Sequence, residues 1–213
     1  MSKIAIVNYE AGNLTSVLRA VNALGFDAEI TQDARTILQA PRVIFPGVGA
    51  AGAAMGNLGR LGLDGVLKEV ADRGTPLLGI CVGTQIIFDF SEEDGGTECL
   101  GLLPGRVRRF DADLREDGDR LKVPHMGWNG VRPLRSHPML QGLSPDQEFY
   151  FVHSYYPEPA DETHVLARTG YGPDFASIVG RGSLVALQFH TEKSGRPGLN
   201  LLKNFCQWDG RHA

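Results

Sequence analysis

Cysteine is scarce in this chain of 213 residues: there are three, Cys81, Cys99 and Cys206. An odd number with no C-x-x-C pair excludes a disulfide framework and a zinc knuckle, and no metal site is expected. Basic excess is lacking as well. Lys and Arg number 21 against 25 Asp and Glu, a formal net charge of −4. That balance gives no electrostatic footing for nucleic acid or for an anionic membrane surface. No stretch approaches the roughly 18 consecutive apolar residues of a membrane span. The N-terminus enters a short apolar run at Ile4 without the long apolar core and small-residue cleavage site of a secretory signal. These absences predict a soluble, cytoplasmic protein with reduced thiols, no membrane and no nucleic-acid partner.

Glycine is what the sequence has in excess. The 27 glycines are about 13% of the chain, against a usual share of about 7%. Fourteen of them lie between Gly47 and Gly105. Mixed with apolar strands, they predict tight turns and close backbone approaches rather than disorder. The length suits one domain over residues 1–213, large enough for a core that needs no staples.

The first half alternates strand and helix. Residues 3–8, 42–45 and 76–81 are short apolar runs of strand length. Between them, Asn13 can cap a helix whose apolar face is Leu14, Val17, Leu18, Val21 and Leu24, with Gly25 at the C-cap. Helices are also expected over residues 61–72 and 85–90. In the second half, residues 105–110, 148–152, 164–168, 176–179 and 184–189 read as strands, and 198–208 as a helix. The charged segment 111–120 reads as a solvated hairpin tip. The expected fold is α/β: a mostly parallel, mixed sheet with helices on both faces and a β-rich second half.

Gly79-Ile80-Cys81-Val82-Gly83 has the form of a nucleophile elbow. A nucleophile on a sharp strand-to-helix turn is exposed above the sheet, and flanking glycines keep other side chains out of its way. The helix N-terminus beyond it favours thiolate over thiol. A free cysteine can also be a small buried hydrophobe, but the strand before and the helix after Cys81 favour the nucleophile. Its base must be one of His125, His137, His153, His164, His190 and His212. His190 ends an apolar strand, and Glu192, two residues on, faces the same side in extended chain and can hold its tautomer. Taken alone, His-x-Glu reads as a solvated surface pair, and only beside a cysteine elbow does its meaning change. Attack of a thiolate on a carbonyl needs N–H donors for the oxyanion. The amide of Val82 and one from the Pro46-Gly47-Val48-Gly49 loop, at Val48 or Gly49, are the candidates, and glycine on both sides of Val48 permits a peptide flip there.

Together these pieces resemble the class I, triad-type glutamine amidotransferases. The elbow of that family reads G-x-C-x-G-x-Q, here Gly79 to Gln85, and its base strand ends F-H-P-E, here Phe189-His190-Thr191-Glu192. Within the class the match is closer to the glutaminase subunits of imidazole glycerol phosphate synthases. It is carried by residues 8–14, 46–49, 123–129 and 150–156, in order along almost the whole chain. The resemblance implies that Cys81 attacks the carboxamide of L-glutamine, with His190 and Glu192 completing the triad and no cofactor. It implies that Gln85, Glu93, Ser154 and Tyr155 hold the substrate. It also implies a heterodimer with a (β/α)₈-barrel synthase subunit that consumes the ammonia, docked near Asn13, Met126, Trp128, Tyr150 and Lys193. Two positions depart from the pattern. Thr84 replaces the usual Met, and Thr191 replaces the usual Pro, which is expected to loosen the backbone under the base.

Three other readings share parts of this pattern. One is a similar amidotransferase feeding another synthase, for instance in surface-sugar biosynthesis. A second is a non-catalytic scaffold of the same fold, against which the intact Cys81, His190 and Glu192 speak. The third is a cysteine hydrolase or redox sensor on a related fold.

Overall fold

The computed structural model describes residues 3–10, 12–116 and 118–211. In chain order the first half forms β1 (Ile4–Val7), α1 (Leu14–Ala23), β2 (Ala28–Thr31), α2 (Ala34–Gln39) and β3 (Val43–Gly47). It continues with α3 (Ala51–Leu61), α4 (Leu63–Asp72), β4 (Leu77–Cys81) and the single turn α5 (Val82–Gln85). Every residue of β1, β3 and β4 is buried. Strands covered on both faces read as continuous apolar runs, which is why these three are plain in the sequence.

The main sheet has eight strands in the order Arg132–Pro133, Val165–Gly170, Asp174–Arg181, Leu184–Leu187, β4, β3, β1, β2. From Leu184–Leu187 to β2 all pairings are parallel. The three strands on the other side join antiparallel. The helices gather in two groups, α1 with α6 (Gly195–Gln207) and α2 with α3 and α4. The expected mixed α/β sheet is therefore present. The second half adds a sheet of Tyr155–Pro159, Gly105–Arg109, Phe90–Ser91 and Thr97–Glu98, and an antiparallel ribbon of His125–Gly130 with Glu148–His153.

α1 buries Leu14, Val17, Ala20 and Val21, with Leu18 and Leu24 packed partly against the core. Asn13 stands at its N-cap position, but its side chain caps nothing and points elsewhere. The helix expected over residues 85–90 forms earlier, as α5, because the chain turns into it directly at Cys81. The stretch 61–72 splits at Gly62, whose left-handed φ of 66° ends α3 and starts α4. The glycine-rich run before it, which reads as turns, is the helix α3. Two acidic side chains distant in sequence make that possible: Glu93 accepts the Ala51 N–H at 2.7 Å and Asp94 the Gly52 N–H at 3.2 Å. Within 111–120 a small hairpin pairs Arg115–Glu116 with Asp119–Arg120, as its charge pattern suggests.

Candidate active site

β4 ends on Cys81 and α5 starts at the next residue, so the turn falls on Cys81 itself, at φ 56° and ψ −110°. A non-glycine residue in such a conformation costs on the order of 1–3 kcal/mol and persists only where its surroundings enforce it. The enforcement is steric. A Cβ on Gly83 would lie 1.9 Å from the Phe45 carbonyl oxygen, and one on Gly79 would lie 3.0 Å from the Ala186 Cβ. Register sets Gly47 of β3 opposite Cys81. Val48 and Gly49, the latter at φ 100°, therefore leave the sheet beside the sulfur. α5 is only four residues long, so the charge partner available to Cys81 is a histidine rather than the end of a long helix.

Leu184–Leu187 runs parallel to β4, with Leu187 opposite Ile80, and the chain beyond it brings His190 to the same sheet edge. His190 Nδ1 is 2.8 Å from Glu192 Oε1, both side chains being buried. The carboxylate fixes the tautomer: Nδ1 carries its proton toward Glu192. Nε2, without a hydrogen bond of ordinary geometry, is the nitrogen left for the neighbouring Cys81. Burial disfavours the imidazolium, but the Cys81 sulfur and the Glu192 carboxylate together overrule it and push His190 up to about 9.

The segment under the base is tied despite Thr191. Ser194 Oγ donates to the His190 carbonyl at 2.5 Å and accepts the Tyr150 N–H at 2.9 Å. α6 seats directly on it, since a Cβ on Gly198 would lie 2.2 Å from the Thr191 carbonyl oxygen. The other departure, Thr84, is buried, and its hydroxyl donates to the Leu187 carbonyl at 2.6 Å, joining elbow to base strand.

A cavity of about 300 Å³ opens over Cys81. Val48, Gly49, Val82, Gln85, Glu93, Ser154, Tyr155 and His190 all line it, so the predicted oxyanion and substrate residues converge there with Cys81 and His190, and Glu192 reaches it only through His190. Gln85 Nε2 donates to the Tyr155 carbonyl at 2.9 Å and to Gln188 Oε1 at 3.2 Å. Partial burial holds the Glu93 carboxyl above its ordinary range, opposed by the Ala51 N–H and reinforced by Asp94. Among the described residues no group of three or more His, Cys, Asp or Glu gathers as a metal ion would need. None of the described helices is long and apolar enough to cross a membrane.

The residues expected at a partner interface divide. Met126 and Trp128 are exposed, at 62% and 53%. Trp128 packs edge-on to Tyr150 with ring centres 6.0 Å apart, and the exposed Lys193 lies 5.9 Å over the Tyr150 ring. Asn13 is placed differently: its side chain turns in and donates to Glu192 Oε1, the oxygen that also holds His190. Of the other candidate bases, His125 and His153 pair with each other, and His137 accepts the Met139 N–H. His164 lies in a short turn away from this cavity, and His212 falls outside the described residues. Sequence reasoning missed Tyr9, fully buried against Phe45, where burial and then the nearby Cys81 raise the phenol. It also missed Ser194. Neither carries a local signal, because each acts through contacts distant in sequence.

This chain belongs to the class-I glutamine amidotransferase family, whose model, "Glutamine amidotransferase class-I", matches residues 5–208. Within that class its relatives include proteins named imidazole glycerol phosphate synthase subunit HisH. The one from Nitratidesulfovibrio vulgaris is 54% identical over 203 residues, 95% of each chain. Those from Chromobacterium violaceum and Pseudomonas syringae pv. syringae are 50% and 47% identical, covering 98–99% of this chain and 99–100% of theirs. Among solved structures, one described as a glutamine amidotransferase superposes with a TM-score of 0.75 at 19% identity, over 98% of this chain and 99% of the other. PurLQS from Thermotoga maritima superposes at 0.71 and 16%, over 97% and 99%. These two share the fold.

Proposed function

We propose that this chain is the glutaminase subunit of an imidazole glycerol phosphate synthase, acting in histidine biosynthesis in the cytoplasm as a single glutaminase domain over residues 1–213. The observation that carries the reading is the convergence of Cys81, His190, Gln85, Glu93, Ser154 and Tyr155 on one cavity. Gln85, Glu93 and the backbone at Ser154 and Tyr155 hold L-glutamine with its carboxamide carbon at Cys81. The sulfur adds to that carbon, and the amides at Val82 and at Val48 or Gly49 receive the developing oxyanion. His190, protonated at Nε2, delivers that proton to the departing nitrogen, which leaves as ammonia. Glu192 steadies the imidazolium. Water, deprotonated by His190, then adds to the γ-glutamyl thioester, and the sulfur leaves with glutamate as product. No cofactor enters this sequence.

Ammonia is handed to a (β/α)₈-barrel synthase subunit in a heterodimer, docked on Met126, Trp128, Tyr150 and Lys193. Asn13, given to the partner on sequence grounds, belongs instead to the support of Glu192. The test is Cys81→Ala in the complex reconstituted with a candidate barrel subunit. Glutamine hydrolysis should be lost, while ring closure supplied with free ammonia continues. Unchanged glutamine hydrolysis would sink the enzymatic reading. Absence of a complex with the histidine-pathway barrel would favour another synthase as partner.

A further inference from the structure

Two buried histidines take no part in the proposed reaction: His153 lines the glutamine cavity and His125 stands behind it. His125 and His153 face each other across the ribbon, with His125 Nδ1 3.0 Å from His153 Nε2. The direction of each hydrogen bond follows from its ends. His153 Nδ1 lies 2.8 Å from the Tyr155 carbonyl oxygen, which can only accept, so Nδ1 carries the proton. At the other end the Asn129 amide is oriented by the backbone. Its Oδ1 accepts the Gly130 N–H at 2.8 Å and its Nδ2 donates to the Gly170 carbonyl at 2.9 Å. That Nδ2 is 3.3 Å from His125 Nε2, which therefore accepts. His125 Nδ1 is then the protonated nitrogen and donates to His153 Nε2. Burial pushes His125 down to about 4 and His153 down to about 3, so both rings are neutral at physiological pH. The His125 ring stacks on Tyr171 and Phe151, at 3.9 and 4.9 Å between centres, and has no freedom to turn.

The relay ends on the Tyr155 carbonyl, which also accepts from Gln85 Nε2 at 2.9 Å. The second hydrogen of that nitrogen goes to Gln188 Oε1 at 3.2 Å. With both amide hydrogens committed, Gln85 has only its Oε1 to offer the cavity, an acceptor that selects a ligand N–H. We infer that His125 and His153 are positioning residues that hold the Tyr155 carbonyl, and through it Gln85, so that the cavity presents an acceptor to a nitrogen of glutamine. This deepens the glutaminase reading and rests on it. A neutral His–His pair suits the task because each ring donates at one side and accepts at the other, passing one orientation along without burying a charge.

His125→Phe keeps the ring stack and removes the donor. In the reconstituted complex we expect glutamine KM to rise about tenfold with kcat within about twofold, and His125→Gln, which can still donate, to recover part of that rise. Nitrogen NMR of the full wild-type chain reads the relay without any substitution: both rings should be neutral Nδ1–H tautomers from about pH 6 to about pH 8. An Nε2–H tautomer or an imidazolium on either ring overturns the proposal, even where the Phe variant fails to fold. So does a folded His125→Phe with an unchanged KM. A wild-type complex that does not hydrolyse glutamine overturns the glutaminase reading instead, and the tautomers still report on the relay by themselves.

Discussion

Glycines of the elbow and glycines of α3 belong to the same dense stretch of sequence, yet different physics keeps them there. At Gly83 an added Cβ would meet the Phe45 carbonyl at 1.9 Å, inside the backbone of β3. At Gly56 and Gly59 it would meet nothing within 4 Å. Gly52 stands between, its Cβ 2.7 Å from the movable Asp94 carboxylate. Crowding by fixed backbone therefore keeps Gly83 at the elbow, whereas Gly49, with open space around it, is kept by its left-handed φ of 100°. At Gly56 and Gly59, inside α3, open space leaves only the cost of glycine in a helix.

The largest break in that contrast should come from Gly83→Ala. Pushing β3 and the elbow apart should cost more than about 3 kcal/mol and abolish glutamine hydrolysis, as denaturant unfolding and assay of the complex will read. The next effect is a pH dependence on the crowded side. His190 is raised from about 6.5 unfolded to about 9 folded, so its stabilisation is complete below about pH 6.5 and is lost as pH rises through about 9. That amounts to as much as about 3 kcal/mol, and urea midpoints at the two ends should show the loss in wild type but not in His190→Asn. Asn13→Ala removes the second donor to Glu192 Oε1 and should lower kcat about tenfold while leaving the melting temperature nearly unchanged. A rise in KM larger than the fall in kcat would place Asn13 elsewhere in the reaction. Gly52→Ala displaces the Asp94 cap and should cost about 1 kcal/mol. Gly56→Ala and Gly59→Ala, both exposed, should each stabilise by about 0.5–1 kcal/mol without touching activity. Destabilisation by either would mean that α3 needs its glycines after all.

Those two residues also show where the sequence becomes unreadable. β1, β3 and β4 are legible because burial on both faces writes them as unbroken apolar runs. Cys81 is legible because short-range spacing sets a turn, and His190 with Glu192 because they stand two apart, although they meet across the 3₁₀ turn Thr191–Lys193 and not along the extended chain expected. α3 is not, since its glycines argue against helix and its caps come from Glu93 and Asp94, some forty residues away. β2 and α2 are faint for a related reason: β2 is a half-buried edge strand with no strong pattern, and α2 is a six-residue helix capped by Asp33. Asn13 reads in the sequence as a helix cap and a docking residue. The type of side chain was the right signal, but its partner, Glu192, lies 179 residues further on.

The ribbon of His125–Gly130 and Glu148–His153 sorts its residues by parity. Even positions Met126, Trp128 and Tyr150 open outward, while odd positions His125, Asn129, Phe149, Phe151 and His153 turn to the core and the relay. Two selective pressures can thus be written on one strand pair without overwriting each other. Under the docking and the relay proposed above, a change of synthase is answered at Met126, Trp128 and Tyr150 while the inward letters stay as inherited.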